Sequence, residues 1–196
     1  MKRIVLFLVL AFACIALVVL VVTLKPGVET PKPGVEAPKP GPENTLYMDL
    51  QYGRVVIQMR PDLAPKHVAR IKELVRKGFY DGLIFHRVIE GFMAQGGDPT
   101  GTGTGGSGTN ITAEFSPAPF VRGIVGMARA QDIDSADSQF FIMFDEVDSL
   151  NGNYTVWGQV VSGMEFVDKI HRGEPPDDPD KIIKMQVAAD ADKAAK

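Results

Sequence analysis

The sequence predicts a mainly β domain, an antiparallel barrel or sandwich with two helices attached. It contains about eight short strand patterns and two helix patterns. These do not alternate regularly, as a doubly wound parallel sheet would require. Residues 45–196 make up 152 of the 196 residues, the size of one ordinary domain. Hydrophobic residues form 45% of the chain, which is enough for a packed core.

The strand predictions rest on apolar residues that alternate with polar ones. This pattern covers residues 45–51 and 55–59, on either side of a hairpin turn at Tyr52-Gly53. A strand buried on one face has this period of two. Further strands are predicted at 83–89, 92–95, 124–129, 139–144, 155–161 and 182–187.

The helix predictions rest on apolar residues spaced by three and four. The first helix begins within 61–65, where two prolines suit a helix start, and ends at Gly78. Its apolar positions are Val68, Ile71, Leu74 and Val75. The second helix is predicted at 164–171, where Met164, Val167 and Ile170 recur every three residues.

The first 24 residues predict a membrane anchor. Residues 4–24 carry no charge, and 21 helical residues span ~30 Å, the thickness of the bilayer's hydrocarbon core. Lys2 and Arg3 favour an amino terminus inside the cytoplasm, so the following domain is expected on the outer side, periplasmic or extracellular. A cleaved signal, or lipidation at Cys14, stays an alternative, although the apolar run continues eleven residues beyond Ala13.

The next segment, residues 25–44, predicts a linker. It repeats Lys-Pro-Gly three times and is rich in Glu. Such a composition cannot form a core and favours an extended chain of up to ~60 Å. The predicted organisation is therefore an anchor at 1–24, this linker, one domain at 45–188, and a charged tail at 189–196.

Composition excludes several classes of function. A net charge of −3 without a basic stripe argues against binding of nucleic acid. The single Cys lies in the apolar run, so the domain has no disulfide or thiol chemistry. The glycines at 101–106 match a dinucleotide-binding pattern but lack the surrounding strand and helix, so a surface loop is predicted there. The three His residues lack metal-ligand spacing, and no metal or cofactor is expected.

Several motifs are hard to explain by packing alone, and together they resemble the cyclophilins. These motifs are FHRVIEGFMAQGGD, GTGTGGSG, GIVGMARA, SQFFI and LNGNYTVWGQV. Cyclophilins are peptidyl-prolyl cis-trans isomerases, and the resemblance covers residues 45–187. It implies a closed eight-stranded antiparallel barrel capped by two helices, here preceded by the transmembrane anchor and the Pro-rich linker.

The resemblance also implies the site residues. Arg87 matches the catalytic arginine and Gln95 the glutamine beside it. Residues that match the substrate-binding positions are Phe92, Met93, Ala128, Arg129, Ala130, Gln139, Phe141, Leu150 and Tyr154. The implied activity is rotation about X-Pro bonds in extended or unfolded chains, which assists protein folding outside the membrane. The alternative is a module or chaperone that binds proline-containing segments and in which turnover is not the main role.

Three positions depart from the pattern of animal cyclophilins. Arg129 replaces Asn, Tyr154 replaces His, and Ser149 replaces Trp. These residues resemble the bacterial branch of the family. Trp would offer the inhibitor cyclosporin a large apolar face and an N–H donor, so the resemblance implies weak cyclosporin binding at most.

Overall fold

A computed structural model describes residues 41–194, with the side chains of 192–194 left aside. The eight strands are β1 (Thr45–Leu50), β2 (Gly53–Met59), β3 (Arg87–Ile89), β4 (Met93–Gly96), β5 (Ile124–Met127), β6 (Phe140–Met143), β7 (Val156–Ser162) and β8 (Lys184–Val187). The helices are α1 (Pro65–Arg76), α2 (Met164–Val167) and α3 (Ala188–Ala194). Short 3₁₀ turns lie at Pro42–Asn44, within the predicted linker, and at Asp148–Leu150.

The eight strands form one antiparallel sheet in the order β3-β4-β6-β5-β7-β2-β1-β8. Within residues 41–194, the edge strands β3 and β8 do not pair with each other. The sheet is therefore an open half-barrel, and the prediction of a closed barrel is wrong.

The opening has a physical cause in the segment 171–183, which lies between the two edge strands. It meets the β3 side at two isolated antiparallel bridges, Ile84↔Lys181 and Val88↔Gly173, and through a few backbone hydrogen bonds between residues 82–85 and 180–182. Three prolines in this segment, at 175, 176 and 179, have no N–H to donate to a ladder. The predicted strands at 83–89 and 182–187 are consequently shorter, since β3 begins at Arg87 and β8 at Lys184.

Helix α1 confirms the predicted first helix and is capped by a distant residue. Ala64 provides no side-chain cap. Instead, the Glu114 carboxylate accepts the N–H groups of Lys66 and His67, each at 3.0 Å, and contacts His67 Nδ1 at 2.7 Å. Burial lowers the pKa of His67, although Glu114 opposes this effect. The cap ties the start of α1 to the loop before β5.

The second and third helices differ from the prediction. Helix α2 has only four residues, and the N–H groups of Lys169 and Ile170 that follow it donate to carbonyls three residues back, at Phe166 and Val167. The Arg172 guanidinium caps this end by donating to the carbonyls of Asp168 and Ile170. Helix α3 lies in the predicted charged tail. No helix within residues 41–194 is long and apolar enough to cross a bilayer, and the anchor predicted at 1–24 lies outside the described residues.

Two apolar clusters occupy opposite faces of the central strands. The main core includes Leu46, Met48, Ile57, Met59, Tyr80, Phe85, Ala94, Phe140, Ile142 and Trp157. The smaller cluster is formed by Met93, Phe120, Ile124, Phe141, Met143 and Val156. Because neighbouring strand residues face opposite sides, β4 and β6 contribute to both clusters.

Candidate active site

A row of paired residues across four strands builds one wall of the site. Arg87 on β3 pairs with Gln95 on β4, which pairs with Phe141 on β6 and then Gly126 on β5. Directly paired residues share a face of the sheet. A Cβ atom at Gly126 would overlap the Phe141 ring, so this glycine leaves the space that the ring occupies. The row places a cation, an amide and an aromatic ring in line.

This row opens into a small pocket of about 160 Å³. The pocket is lined by Arg87, Phe92, Met93, Gln95, Ala128, Arg129, Phe141, Leu150 and Tyr154. The structure thus brings together nine of the eleven predicted site residues. Pockets for drug-sized ligands are larger, ~300–1,000 Å³, so this one suits a single small ring or side chain.

Aromatic contacts stiffen the pocket walls. Phe141 stacks on the buried Phe120 with the ring centres 5.7 Å apart. The rings of Phe141 and Tyr154 pack edge to face, with their centres 5.8 Å apart. The Arg129 guanidinium lies over the Tyr154 ring at 4.7 Å. The same guanidinium donates to the carbonyls of Ala130 and Asn153, at 2.9 and 3.1 Å. Phe120 was not predicted as a site residue.

The Arg87 guanidinium is held on two sides. Its Nε donates to the Glu174 carboxylate at 2.8 Å, whereas Nη1 lies 3.5 Å from Gln95 Oε1. The guanidinium also lies 5.9 Å from the centre of the Phe92 ring. Sequence reasoning expected only Gln95 as a partner and missed Glu174, which is 87 residues away along the chain.

The two remaining predicted residues, Ala130 and Gln139, line a second cavity of about 430 Å³. This cavity adjoins the pocket, since Gln95 and Arg129 line both. Gln139 accepts a hydrogen bond from Gln95 Nε2 at 2.9 Å and donates to the carbonyls of Gly103 and Gly105. Gln139 therefore connects the row of paired residues to the glycine-rich loop, which is the surface loop of residues 101–106.

One buried carboxylate organises that loop. Asp98 is 1% exposed and accepts the N–H groups of Thr100, Thr102, Gly103 and Gly105. Burial alone would raise the pKa of Asp98, but these hydrogen bonds outweigh it and lower the pKa to about 2. Sequence reasoning missed this role. An Asp directly before a Thr- and Gly-rich loop is the signal that could have indicated it.

The arrangement offers a fixed positive donor beside an apolar pocket of ring size. Such a site can bind a small apolar ring and place a charged donor at the polar group next to it. A guanidinium stays protonated and presents planar N–H donors, so it acts by electrostatics rather than by proton exchange.

The comparisons with known proteins agree on one family. Residues 45–187 match the model of the cyclophilin type peptidyl-prolyl cis-trans isomerase family. A "Probable peptidyl-prolyl cis-trans isomerase" of Brucella suis is 55% identical over 166 residues, covering 76% of this chain and 85% of the relative. "Peptidyl-prolyl cis-trans isomerase B" of Bacillus subtilis is 44% identical, with coverages of 66% and 92%.

Solved structures give the same result. The cyclophilin AquaCyp293 of Hirschia baltica has a TM-score of 0.71 at 29% identity and covers 76% of each chain. A cyclophilin type isomerase of Cryptosporidium parvum, solved in the presence of the dipeptide Ala-Pro, has a TM-score of 0.68 at 30% identity, with coverages of 73% and 98%. The chain belongs to the cyclophilin family. It is a peptidyl-prolyl cis-trans isomerase.

The buried Asp98 carboxylate stabilises the folded domain through the four N–H groups that it accepts. Replacing it with Asn removes the charge and places N–H donors against N–H donors, so Asp98→Asn should lower the free energy of unfolding by about 2–3 kcal/mol at pH 7. Because the folded pKa is lowered, this stabilisation is fully present above pH ~4 and is lost as the pH falls through about 2. Urea unfolding should show the difference falling by about half between pH 7 and pH 3.

Asp145→Asn is the matched control, since Asp145 is exposed and accepts one local N–H group, that of Glu146. It should change the unfolding free energy by less than about 0.5 kcal/mol at either pH. A difference between wild type and Asp98→Asn that is the same at both pH values would contradict the assignment of Asp98.

Proposed function

We propose that Arg87 is the catalytic group of this isomerase and that the neighbouring pocket holds the proline ring of an extended or unfolded chain. The observation that carries the proposal is the Arg87 guanidinium at the edge of a pocket of about 160 Å³ with walls from Phe92, Met93 and Phe141. No covalent bond breaks in this reaction, so it requires neither a nucleophile nor a cofactor.

The chemistry of the X-Pro bond explains why these groups suit the reaction. Rotation crosses a barrier of ~18–20 kcal/mol because resonance gives the C–N bond partial double-bond character. Uncatalysed exchange takes tens to hundreds of seconds. At the twisted transition state conjugation is lost, and the proline nitrogen becomes a hydrogen-bond acceptor. A guanidinium that donates to this nitrogen, or to the neighbouring oxygen, binds the twisted state more tightly than the planar one.

The pocket supplies the second requirement, which is a fixed axis of rotation. Apolar walls hold the proline ring while the chain on the other side of the bond turns. Each 1.36 kcal/mol removed from the barrier gives a tenfold rate, so a ten-thousandfold acceleration needs only ~5.5 kcal/mol. One preorganised hydrogen-bond donor contributes about 2.7–4 kcal/mol in other enzymes, and the hold on the ring supplies the remainder.

The substrate class follows from the same geometry. The site lies on a surface where the pocket adjoins the second cavity, so a bound chain can continue past the proline. A solved neighbour was crystallised in the presence of the dipeptide Ala-Pro, which supports proline-containing peptides as ligands of this chain too. The proposed substrate is therefore an extended or unfolded chain that contains proline.

Arg87→Ala should lower kcat/KM for a proline-containing test peptide by about two to three orders of magnitude, because it removes the charged donor and leaves the apolar walls. NMR exchange spectroscopy on the purified protein measures this rate. Arg54→Ala is the matched control, since Arg54 forms an ion pair with Asp49 on β1 and does not line the pocket. Exchange at the wild-type rate in Arg87→Ala would exclude the proposed role of Arg87.

The same variant distinguishes the alternative of a binding module or chaperone. A titration of the peptide should show that Arg87→Ala still binds it, with a Kd within about fivefold of the wild-type value, because the ring pocket is intact. If cells that carry Arg87→Ala show the wild-type phenotype, binding rather than turnover is the main role.

We further propose that the domain acts on the outer side of the cytoplasmic membrane. The support lies in the sequence, in the uncharged residues 4–24 after Lys2 and Arg3. The protein should sediment with membranes, and protease should release an active soluble fragment by cutting within 25–44, since segments rich in Pro and Gly are preferred cleavage sites. Recovery of a mature protein that begins at Cys14, or that lacks the apolar run, would contradict this location.

Weak cyclosporin binding is proposed from the departure at Ser149. This residue is exposed in the 3₁₀ turn beside Leu150, which lines the pocket. Ser149→Trp adds apolar area and one donor, together worth ~2–3 kcal/mol, so it should tighten cyclosporin inhibition at least tenfold and change kcat/KM less than about threefold. Ser149→Ala is the control. Equal inhibition constants for wild type and Ser149→Trp would mean that this rim differs from that of animal cyclophilins.

A further inference from the structure

The segment after α2 brings a carboxylate to the arginine of the site. Gly173 and Val88 exchange two backbone hydrogen bonds, of 2.8 and 2.9 Å, in an antiparallel bridge next to β3. In such a bridge the residue after Gly173 lies opposite the residue before Val88, so Glu174 faces Arg87. The contact between Glu174 Oε2 and Arg87 Nε, at 2.8 Å, is the result of this register.

Two features fix the position of the bridge, one before it and one at its centre. Before it, Arg172 Nε donates to Glu90 at 2.6 Å. At its centre, Gly173 has a φ of +151°, and a Cβ atom there would lie 2.5 Å from Pro176 Cα. Only glycine fits this backbone. The position of Glu174 is therefore set by the backbone of the segment and not by its side chain alone.

Glu174 approaches Arg87 from the side away from the proline pocket. A separate cavity of about 440 Å³ is lined by Glu174 and Pro175 together with His86, Arg87 and the glycine-rich loop. Arg87 and Gln95 line both this cavity and the pocket, whereas Glu174 does not line the pocket. The carboxylate can thus hold the guanidinium without occupying the space of the substrate.

The two contacts on the guanidinium differ in strength. The bond to Glu174 is short and links two charged groups, which makes it the stronger type of hydrogen bond. The contact with Gln95, at 3.5 Å, is at the outer limit for a hydrogen bond. Because the guanidinium is planar, a bond at Nε also fixes the directions of the Nη donors.

We propose that Glu174 is a positioning residue of this isomerase, which holds the Arg87 guanidinium in the orientation that donates to the substrate. This inference rests on the proposed catalytic role of Arg87. Glu174 also adds negative charge, which by itself would weaken the donor. The side chains of Arg87 and Glu174 are 38% and 53% exposed, so water screens this charge and orientation is the larger effect.

The test compares exchange rates in single and double variants of the whole protein. Glu174→Ala should lower kcat/KM about three- to fivefold, the range of an exposed ion pair, with the Kd for the peptide within about twofold of the wild-type value. Glu174→Gln keeps an acceptor at the same reach and should lose less than about twofold. In an Arg87→Lys background, which has no Nε donor, Glu174→Ala should cause no further loss.

A direct readout comes from the Arg87 Nε–H resonance in NMR spectra. Its proton should exchange with water about three- to fivefold more slowly in the wild type than in Glu174→Ala. The matched control is Asp177→Asn, since Asp177 is an exposed carboxylate of the same segment and lines neither the pocket nor the cavity beside Arg87. This control should leave both the exchange rate of the peptide and the Arg87 resonance unchanged.

The outcomes separate this inference from the proposed function. Wild-type or higher activity in Glu174→Ala, or an equal further loss in the Arg87→Lys background, would overturn the role of Glu174. If Glu174→Ala fails to fold, Glu174→Gln and the wild-type Arg87 resonance decide the question. An Arg87 Nε proton that exchanges in the wild type as fast as that of a free arginine side chain would refute the inference. Wild-type activity in Arg87→Ala would overturn the proposed function and with it this role.

Discussion

The pairing register of β4 on β6 is the constraint on which the whole site depends. Gln95 lies opposite Phe141, and Ala94 lies opposite Ile142. The first pair therefore faces the pocket and the second faces the main core. A slip by one residue would exchange the two faces and put Gln95 among apolar side chains. Phe140 resists such a slip, because it is fully buried between Tyr80 and Trp157 on the core side.

A continuous set of polar contacts connects the β4–β6 pair to Arg87 on β3, at the edge of the sheet. It leads from one buried carboxylate through a loop and two amides to the guanidinium and its partner, in the order Asp98, Gly103 and Gly105, Gln139, Gln95, Arg87 and Glu174. The members other than Asp98 and the loop are partly exposed, so the contacts from Gln139 to Glu174 are individually weak. Together they restrict the directions in which the guanidinium can point, which is what a preorganised donor requires. The glycine-rich loop thus belongs to the site through its hydrogen bonds to Asp98 and Gln139.

Local sequence patterns predicted the elements better than their assembly. The alternation in β1 and the apolar spacing in α1 match the buried positions of the structure, since both patterns depend on neighbours within a few residues. Closure of the barrel depended on segment 171–183, which meets the β3 side only at isolated bridges and a few backbone hydrogen bonds and whose three prolines have no N–H to donate to a ladder. No pattern within a few residues of β3 or β8 indicates this. The resemblance placed nine residues around one pocket. It gave no sign of Glu174, because the contact comes from a bridge that only the folded chain forms.

The two arginines at the pocket, Arg87 and Arg129, are held by different types of contact. The contacts of Arg129 involve Tyr154, so two of the three departures from the animal pattern lie against each other. Arg87 has a carboxylate partner, whereas the Arg129 guanidinium contacts backbone carbonyls of 130 and 153 and the face of Tyr154. A carbonyl bears only a partial charge, so these contacts do not form an ion pair. Their effect is structural, since they connect the chain after β5 to the loop before β7. An aromatic face is the surface on which a guanidinium stacks well, and a shorter Asn would not span this gap. Arg129 and Tyr154 therefore form one structural unit at the pocket, in which the aromatic face of Tyr154 supports the guanidinium.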